Sequence, residues 1–172
     1  MRLAVLLALI STATSTSTAT AEPPVGDWTF DAAVGGGVRL PAVDSSTSVT
    51  RSAALSVGIG HMFVPDVSYE MRFDEIVFRN GPSLVATLAM TLGCRFWVAP
   101  SVYSTLGFGL AIPQRAGLFD IFENGGYAFS ADVGYAAPVT AGTKLTVGVG
   151  VTHIVDDKAP TTVSVLIGVL SL

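Results

Sequence analysis

The sequence predicts an all-β chain, an eight-stranded antiparallel up-and-down barrel, and three observations predict it. The stretch KLTVGVGVTHIV, Lys144 to Val155, alternates strictly. Leu145, Val147, Val149 and Val151 fall on one side, and Thr146, Gly148, Gly150 and Thr152 on the other. A period of two belongs to a strand with one apolar face, and no helical face accounts for it. This design recurs to give eight strands between Asp27 and Leu172. The connections also alternate in length. Those after strands 2, 4 and 6 are short and carry Pro; those after strands 1, 5 and 7 are longer and polar; the one after strand 3 is short.

Strand 1 is Asp27 to Leu40. Trp28, Phe30, Ala32, Val34 and Val38 oppose Thr29, Asp31, Ala33, Gly35, Gly37 and Arg39. Strand 2, Val49 to Gly60, sets Ala53, Leu55, Val57 and Ile59 against Ser52, Ala54, Ser56, Gly58 and Gly60. A turn from His61 to Asp66 follows, broken by Pro65. Strand 3, Val67 to Phe78, sets Val67, Tyr69, Met71 and Phe73 against Ser68, Glu70, Arg72 and Asp74. Its alternation breaks at Glu75-Ile76, the pattern of a bulge. Asn80-Gly81-Pro82 makes a tight connection. Strand 4, Ser83 to Phe96, has Leu84, Leu88, Met90, Leu92, Cys94 and Phe96 on its apolar side, and Trp97 to Pro100 forms a turn. Strand 5, Ser101 to Ala111, opposes Val102, Leu106, Phe108 and Leu110 to Tyr103, Thr105, Gly107 and Gly109. The longest loop is Ile112 to Gly126. Strand 6, Tyr127 to Ala136, is followed by a turn from Ala137 to Thr143, then strand 7 from Lys144. Strand 8, Thr161 to Leu172, alternates except at Leu166 and Leu170.

Residues 1–21 read as a secretory signal peptide, with Arg2, an apolar run from Leu3 to Ile10 and an A-x-A site at Ala19-Thr20-Ala21. Residues 22–172 form the barrel domain. Half the residues are apolar and only 13% are charged. Mean hydropathy is +0.60. No segment of the barrel domain reaches the ~18 apolar residues of a membrane-crossing helix. Such an exported chain is either a dense soluble β-protein or a barrel with lipid outside. Cys94 stands alone, so no intrachain disulfide forms. The net charge of −4 argues against a nucleic-acid partner.

The charged face decides between the two. Asp31, Arg39, Glu70, Arg72, Asp74, Arg95, Asp132 and Lys144 share the glycine-rich side, and the strand centres of the other side carry essentially no charge. A small barrel fills its interior with side chains. The polar set is therefore inside and the apolar set faces hydrocarbon, which makes the predicted barrel transmembrane. Arg51 has outward parity at a strand end, within reach of headgroups. Trp28, Phe63, Phe96, Trp97 and Tyr135 gather near the short-turn end, and Phe78, Phe119, Phe122 and Tyr127 near the other, as interfacial belts do.

On this pattern residues 27–172 resemble the eight-stranded outer-membrane barrels, the OmpA-like transmembrane domain and the OmpX-like proteins. The resemblance is architectural. It implies residence in the outer membrane of a diderm bacterium, outer-membrane lipid or lipopolysaccharide as neighbour, and barrel-assembly machinery as a partner in biogenesis.

The first candidate site is the interior charge set Asp31, Glu70, Arg72, Asp74, Arg95, Asp132 and Lys144. It reads as a structural plug of paired charges or as a gated ion path; eight strands leave no open aqueous channel. The second is the loop from Ile112 to Gly126, where Leu118, Phe119, Ile121 and Phe122 offer an external contact. His153 in VTHIVDD faintly resembles the His-x-Ser-Asn motif of lipid A deacylase barrels. Val155 stands where the Ser would be, so no nucleophile is present and no enzymatic role is expected. His153 and His61 read as interfacial anchors, and Cys94 as a small lipid-facing residue. Asp156-Asp157 and Asp120/Glu123 are solvated loop acids or weak cation ligands. No metal-ligand spacing, phosphate loop or cofactor motif is found. The expected function is a structural or surface-interaction role with a plugged lumen. The rivals are a small channel or transporter for ions or hydrophobic molecules, and a secreted lipocalin-like binding barrel.

Overall fold

A computed structural model describes residues 26–40, 49–113, 125–155 and 160–172. The predicted signal peptide and the contact loop with Leu118, Phe119 and Phe122 lie outside them. The strands are β1 (Trp28–Leu40), β2 (Thr50–Val64), β3 (Val67–Asn80), β4 (Ser83–Ala99), β5 (Val102–Pro113), β6 (Gly126–Thr140), β7 (Thr143–Val155) and β8 (Thr161–Ser171). Each pairs antiparallel with its sequence neighbour, and β8 closes on β1. Closure satisfies the backbone of every strand within the wall, as hydrocarbon requires.

One hydrogen-bonded row runs Thr29, Gly60, Glu70, Gly93, Gly107, Ser130, Thr152, Thr162 and rejoins β1 at Arg39. The stagger from Thr29 to Arg39 tilts the strands by roughly 40° from the barrel axis. At that tilt, strands of 11 to 17 residues are long enough to cross a bilayer.

Side chains sort as the period of two requires. Ser56, Glu70, Arg72, Asp74, Thr91, Arg95, Thr105, Ser130, Asp132 and Ser164 are buried inside. Trp28, Val34, Leu55, Leu92, Phe108, Val133, Val149 and Ile167 form an exposed apolar outer wall. A soluble ligand-binding barrel has the opposite distribution.

Several local expectations are corrected. β3 has no bulge at Glu75-Ile76; its register runs unbroken past Leu55↔Glu75 and Ala54↔Ile76. Glu75 therefore lies on the outer wall, and Ile76 and Phe78 are buried in the lumen. Bulges fall instead before three turns, between Met62 and Val64, Trp97 and Ala99, and Pro138 and Thr140. These turns are tight, at Pro65-Asp66, Pro100-Ser101 and Ala141-Gly142, so β2, β4 and β6 extend well beyond their predicted ends. An extra residue flips side-chain parity, and bulges at barrel rims do this routinely. The expected turns from His61, Trp97 and Ala137 are strand followed by bulge. Leu166 and Leu170 do not disturb β8; both point inward, and Leu170 is fully buried.

At the other rim Gly81 adopts φ +61°, followed by Pro82. A left-handed residue followed by one with fixed negative φ suits a two-residue hairpin, so the β3–β4 connection is as short as those at the opposite end.

Candidate functional site

Alternation delivers charges to the lumen from five strands, and opposite charges meet across it. Arg72 of β3 donates through Nε to Ser56 Oγ (2.8 Å) and to Asp74 Oδ1 (3.0 Å). Its Nη1 reaches across the lumen to Asp132 of β6. Arg95 of β4 reaches across in the other direction. Its Nη2 lies 3.0 Å from Asp31 Oδ1 of β1 and 3.0 Å from Glu70 Oε2 of β3. The contact to Asp31 is a hydrogen bond, whereas that to Glu70 lacks hydrogen-bond alignment.

The lumen thus holds two groups of one design, a guanidinium between two carboxylates. Each spans three strands of separation around the wall, β3 to β6 and β4 to β1, and so braces the barrel. The count is uneven, since four acids face two arginines. Glu70 is 2% exposed and its Oε1 has no hydrogen-bond partner. Arg95 Nε, Ser68 Oγ and Thr105 Oγ1 are buried and unpartnered nearby, on adjoining positions of β3, β4 and β5.

Glycines make room for this set. A Cβ at Gly58 would strike the Asp31 carboxylate, and one at Gly134 would meet the Tyr103 ring at 2.5 Å. Tyr103 pairs with Gly134 across β5 and β6, so an aromatic ring covers a glycine.

Lys144 stands apart from the two groups. Its Nζ donates to Pro100 O (3.3 Å) and lies 4.2 Å from the centre of the Trp97 ring. Trp97 also packs on Tyr103, with ring centres 5.7 Å apart. These side chains close the lumen at the tight-turn end. Trp97 therefore belongs to an inner cap rather than to the expected outer belt, because it continues the inward parity of Gly93 and Arg95 in β4. Phe78 is likewise inside, with the Arg39 guanidinium 4.0 Å from its ring centre. Beside the Arg72 group lies a small recess lined by Asp74, Asp132, Ser130, Thr152 and Ser164.

The remaining expected residues are on the outer wall. His61 is in β2, not in a turn; it meets Trp28 edge-on and stacks on Tyr69. His153 Nδ1 is 2.9 Å from Thr161 Oγ1 across β7 and β8. Cys94 is half-buried between Tyr69 and Leu106. The loop acids Asp120, Glu123, Asp156 and Asp157 lie outside the described residues. Sequence reasoning placed Lys144 inside and Tyr103 on the glycine-rich face but put Trp97 in the outer belt; the inward parity of Arg95, two residues earlier, was the available signal.

No protein-family model matches the chain, and no curated protein matches it by sequence. Solved structures do match. Neisserial surface protein A shares 11% identity over 84% of this chain and 96% of its own, with a TM-score of 0.58. The outer membrane protein OprG from Pseudomonas aeruginosa shares 12% over 86% and 95%, at 0.52. Ail, the attachment invasion locus protein of Yersinia pestis, shares 13% over 86% and 99%, at 0.52. With a closed antiparallel wall, apolar outside and charged inside, the class is a transmembrane β-barrel of the bacterial outer membrane. Within that class the chain has the eight-stranded, single-barrel form of these three proteins, at identities that carry the fold alone.

Proposed function

We propose that this protein is a closed, non-conducting barrel that braces the outer membrane and presents its longer connections to an external partner. The observation that carries the reading is the pair of arginine-centred braces, which span the lumen from wall to wall. Removing one partner of such a set leaves a buried charge uncompensated. A plug of this kind is stable only while intact. The proposed surface role draws on the loop with Leu118, Phe119 and Phe122, and on the likeness to Ail, whose solved structures include a complex with the heparin analogue sucrose octasulfate. Barrel-assembly machinery is the expected partner in biogenesis, and outer-membrane lipid the permanent one. No catalytic role is proposed; among the described residues the side-chain hydrogen bond of His153 is to the Thr161 hydroxyl.

A second reading, a narrow cation path, draws on the surplus of carboxylates over guanidinium groups. Planar-bilayer recording separates the two. The closed reading expects no unitary current from the wild type, and small cation-selective openings only after Arg72→Ala. Steady cation-selective openings in the wild type would favour the second reading.

A further inference from the structure

The recess beside the Arg72 group brings space, oxygen donors and an unbalanced charge to one place. Asp132, Gly150 and Ser164 are consecutive positions of one row across β6, β7 and β8. Gly150 leaves the middle of that row bare. A Cβ built there would find nothing nearer than Asp132 Cβ at 3.5 Å, whereas at Gly58, Gly107, Gly134 and Gly168 it would strike an atom at 2.6 Å or less. Those four glycines make way for neighbouring atoms; Gly150 opens onto the recess.

The polar lining is oxygen apart from Arg72 itself. Arg72 engages Asp74 Oδ1 and Asp132 Oδ2. The second oxygen of each carboxylate has no side-chain donor among the described residues. Ser164 is 7% exposed, lines the recess and makes no side-chain hydrogen bond among the described residues. Ser130 donates to Thr91 Oγ1 (3.3 Å), which leaves its own lone pairs for the recess. Two carboxylates against one guanidinium leave one negative charge over, and a buried charge without a counter-ion is strongly destabilising. The other inward cations are held elsewhere, Lys144 by Pro100 O and the Trp97 ring, and Arg39 over the Phe78 ring.

We propose that the recess holds one small monovalent cation of the sodium kind, as a resident counter-ion of the plug. Asp74, Asp132 and Ser164 ligate it, and Ser130 and Thr152 complete a set of hard oxygen donors. Its single charge brings the group to neutrality, where a divalent ion would leave it positive. Among the described residues no three or more His, Cys, Asp and Glu side chains gather to hold a metal ion. Two carboxylates and three hydroxyls suit a singly charged ion instead. The ion joins β3 to β6 and β8, so it ties the Arg72 brace to the far wall at a second point.

The proposal rests on the closed reading of the lumen, and the two fail in different ways. The full barrel is folded into phosphatidylcholine vesicles and unfolded in urea. Sodium chloride is replaced stepwise by choline chloride at constant ionic strength. A bound ion stabilises by mass action, so each tenfold rise in sodium above the dissociation constant should raise the wild-type folding equilibrium constant about tenfold. Choline, too bulky for the recess, should give no such rise. Gly150→Ala keeps every charge and puts a methyl group into the recess. It should match the wild type in choline and lose the sodium dependence. Asp132→Asn removes the surplus charge and should lose that dependence too. No sodium dependence in the wild type, or an equal one in the wild type and both variants, would overturn the proposal. Stability that ignores sodium and rises as the pH falls would put a proton in place of the ion, and would overturn it as well. Sodium currents in planar bilayers from a wild type whose stability still depends on sodium would overturn the closed reading and leave the site standing.

Discussion

Arg72 and Arg95 each stand where two carboxylates converge, and neither could be replaced alone without consequence. Arg72→Met leaves Asp74 and Asp132 buried without their counter-ion. It is expected to cost about 3–5 kcal/mol, measured by urea titration of the folded barrel in vesicles. Adding Asp74→Asn and Asp132→Asn should restore most of that loss, because neutral groups need no counter-ion. Failure of the triple variant to recover would mean that Arg72 acts through packing rather than charge. The inward parity of these residues is legible in the sequence, since each sits on the Gly-rich side of its strand. Their partnership is not. Arg72 and Asp74 are two apart on one face of β3, but which acid meets each arginine across the lumen depends on the stagger of the barrel, which joins β3 to β6 and β4 to β1, and no local pattern encodes that. The separation of Lys144 from the two groups is a product of the same stagger.

At the scale of the strand, the alternating faces of β1, β5 and β7 are read correctly because these strands carry no extra residue; where the pairing of β5 and β7 shifts, the bulged residue belongs to β4 or β6. β2, β4 and β6 end in bulges, and there the sequence misleads. His61, Trp97 and Ala137 look like turn residues because the apolar alternation falters beyond them. The chain in fact stays extended to the tight turn. The reverse error occurs in β3, where Ile76 and Phe78 look outward by hydropathy but continue inward by register. Apolar side chains are admissible in the lumen as well as on the wall, so hydropathy alone does not fix parity at a strand's outer end. Depth should be measurable on a single strand. Val149 sits between Val133 and Val165 at mid-wall, and Val155 ends the same strand on the same face. Val149→Arg is expected to cost about 2–4 kcal/mol and Val155→Arg roughly 0–1, by urea titration in vesicles. Equal costs would contradict the assigned depth.

For the whole molecule, closure of β8 on β1 makes the inside–outside assignment a single decision. If one residue of a strand faces lipid, every second residue around the wall does. Fold class was legible from repetition alone, because eight alternating segments with short turns at one end have few other solutions. The role of the molecule was less legible, since the fold carries many functions. The two tryptophans provide a direct test of the central claim, because they lie near the same rim on opposite sides of the wall. Trp28 is 54% exposed on the outer surface, whereas Trp97 lies against Tyr103 and the Lys144 ammonium in the lumen. Trp97→Phe leaves Trp28 as the one tryptophan, and Trp28→Phe leaves Trp97. Each variant would be folded into vesicles of phosphatidylcholine brominated on its acyl chains, and its fluorescence compared with that in unbrominated vesicles. Strong quenching of Trp28 with little change at Trp97 is the predicted result. Equal quenching of both, or stronger quenching of Trp97, would contradict a wall that faces lipid outside and a charged, closed lumen within.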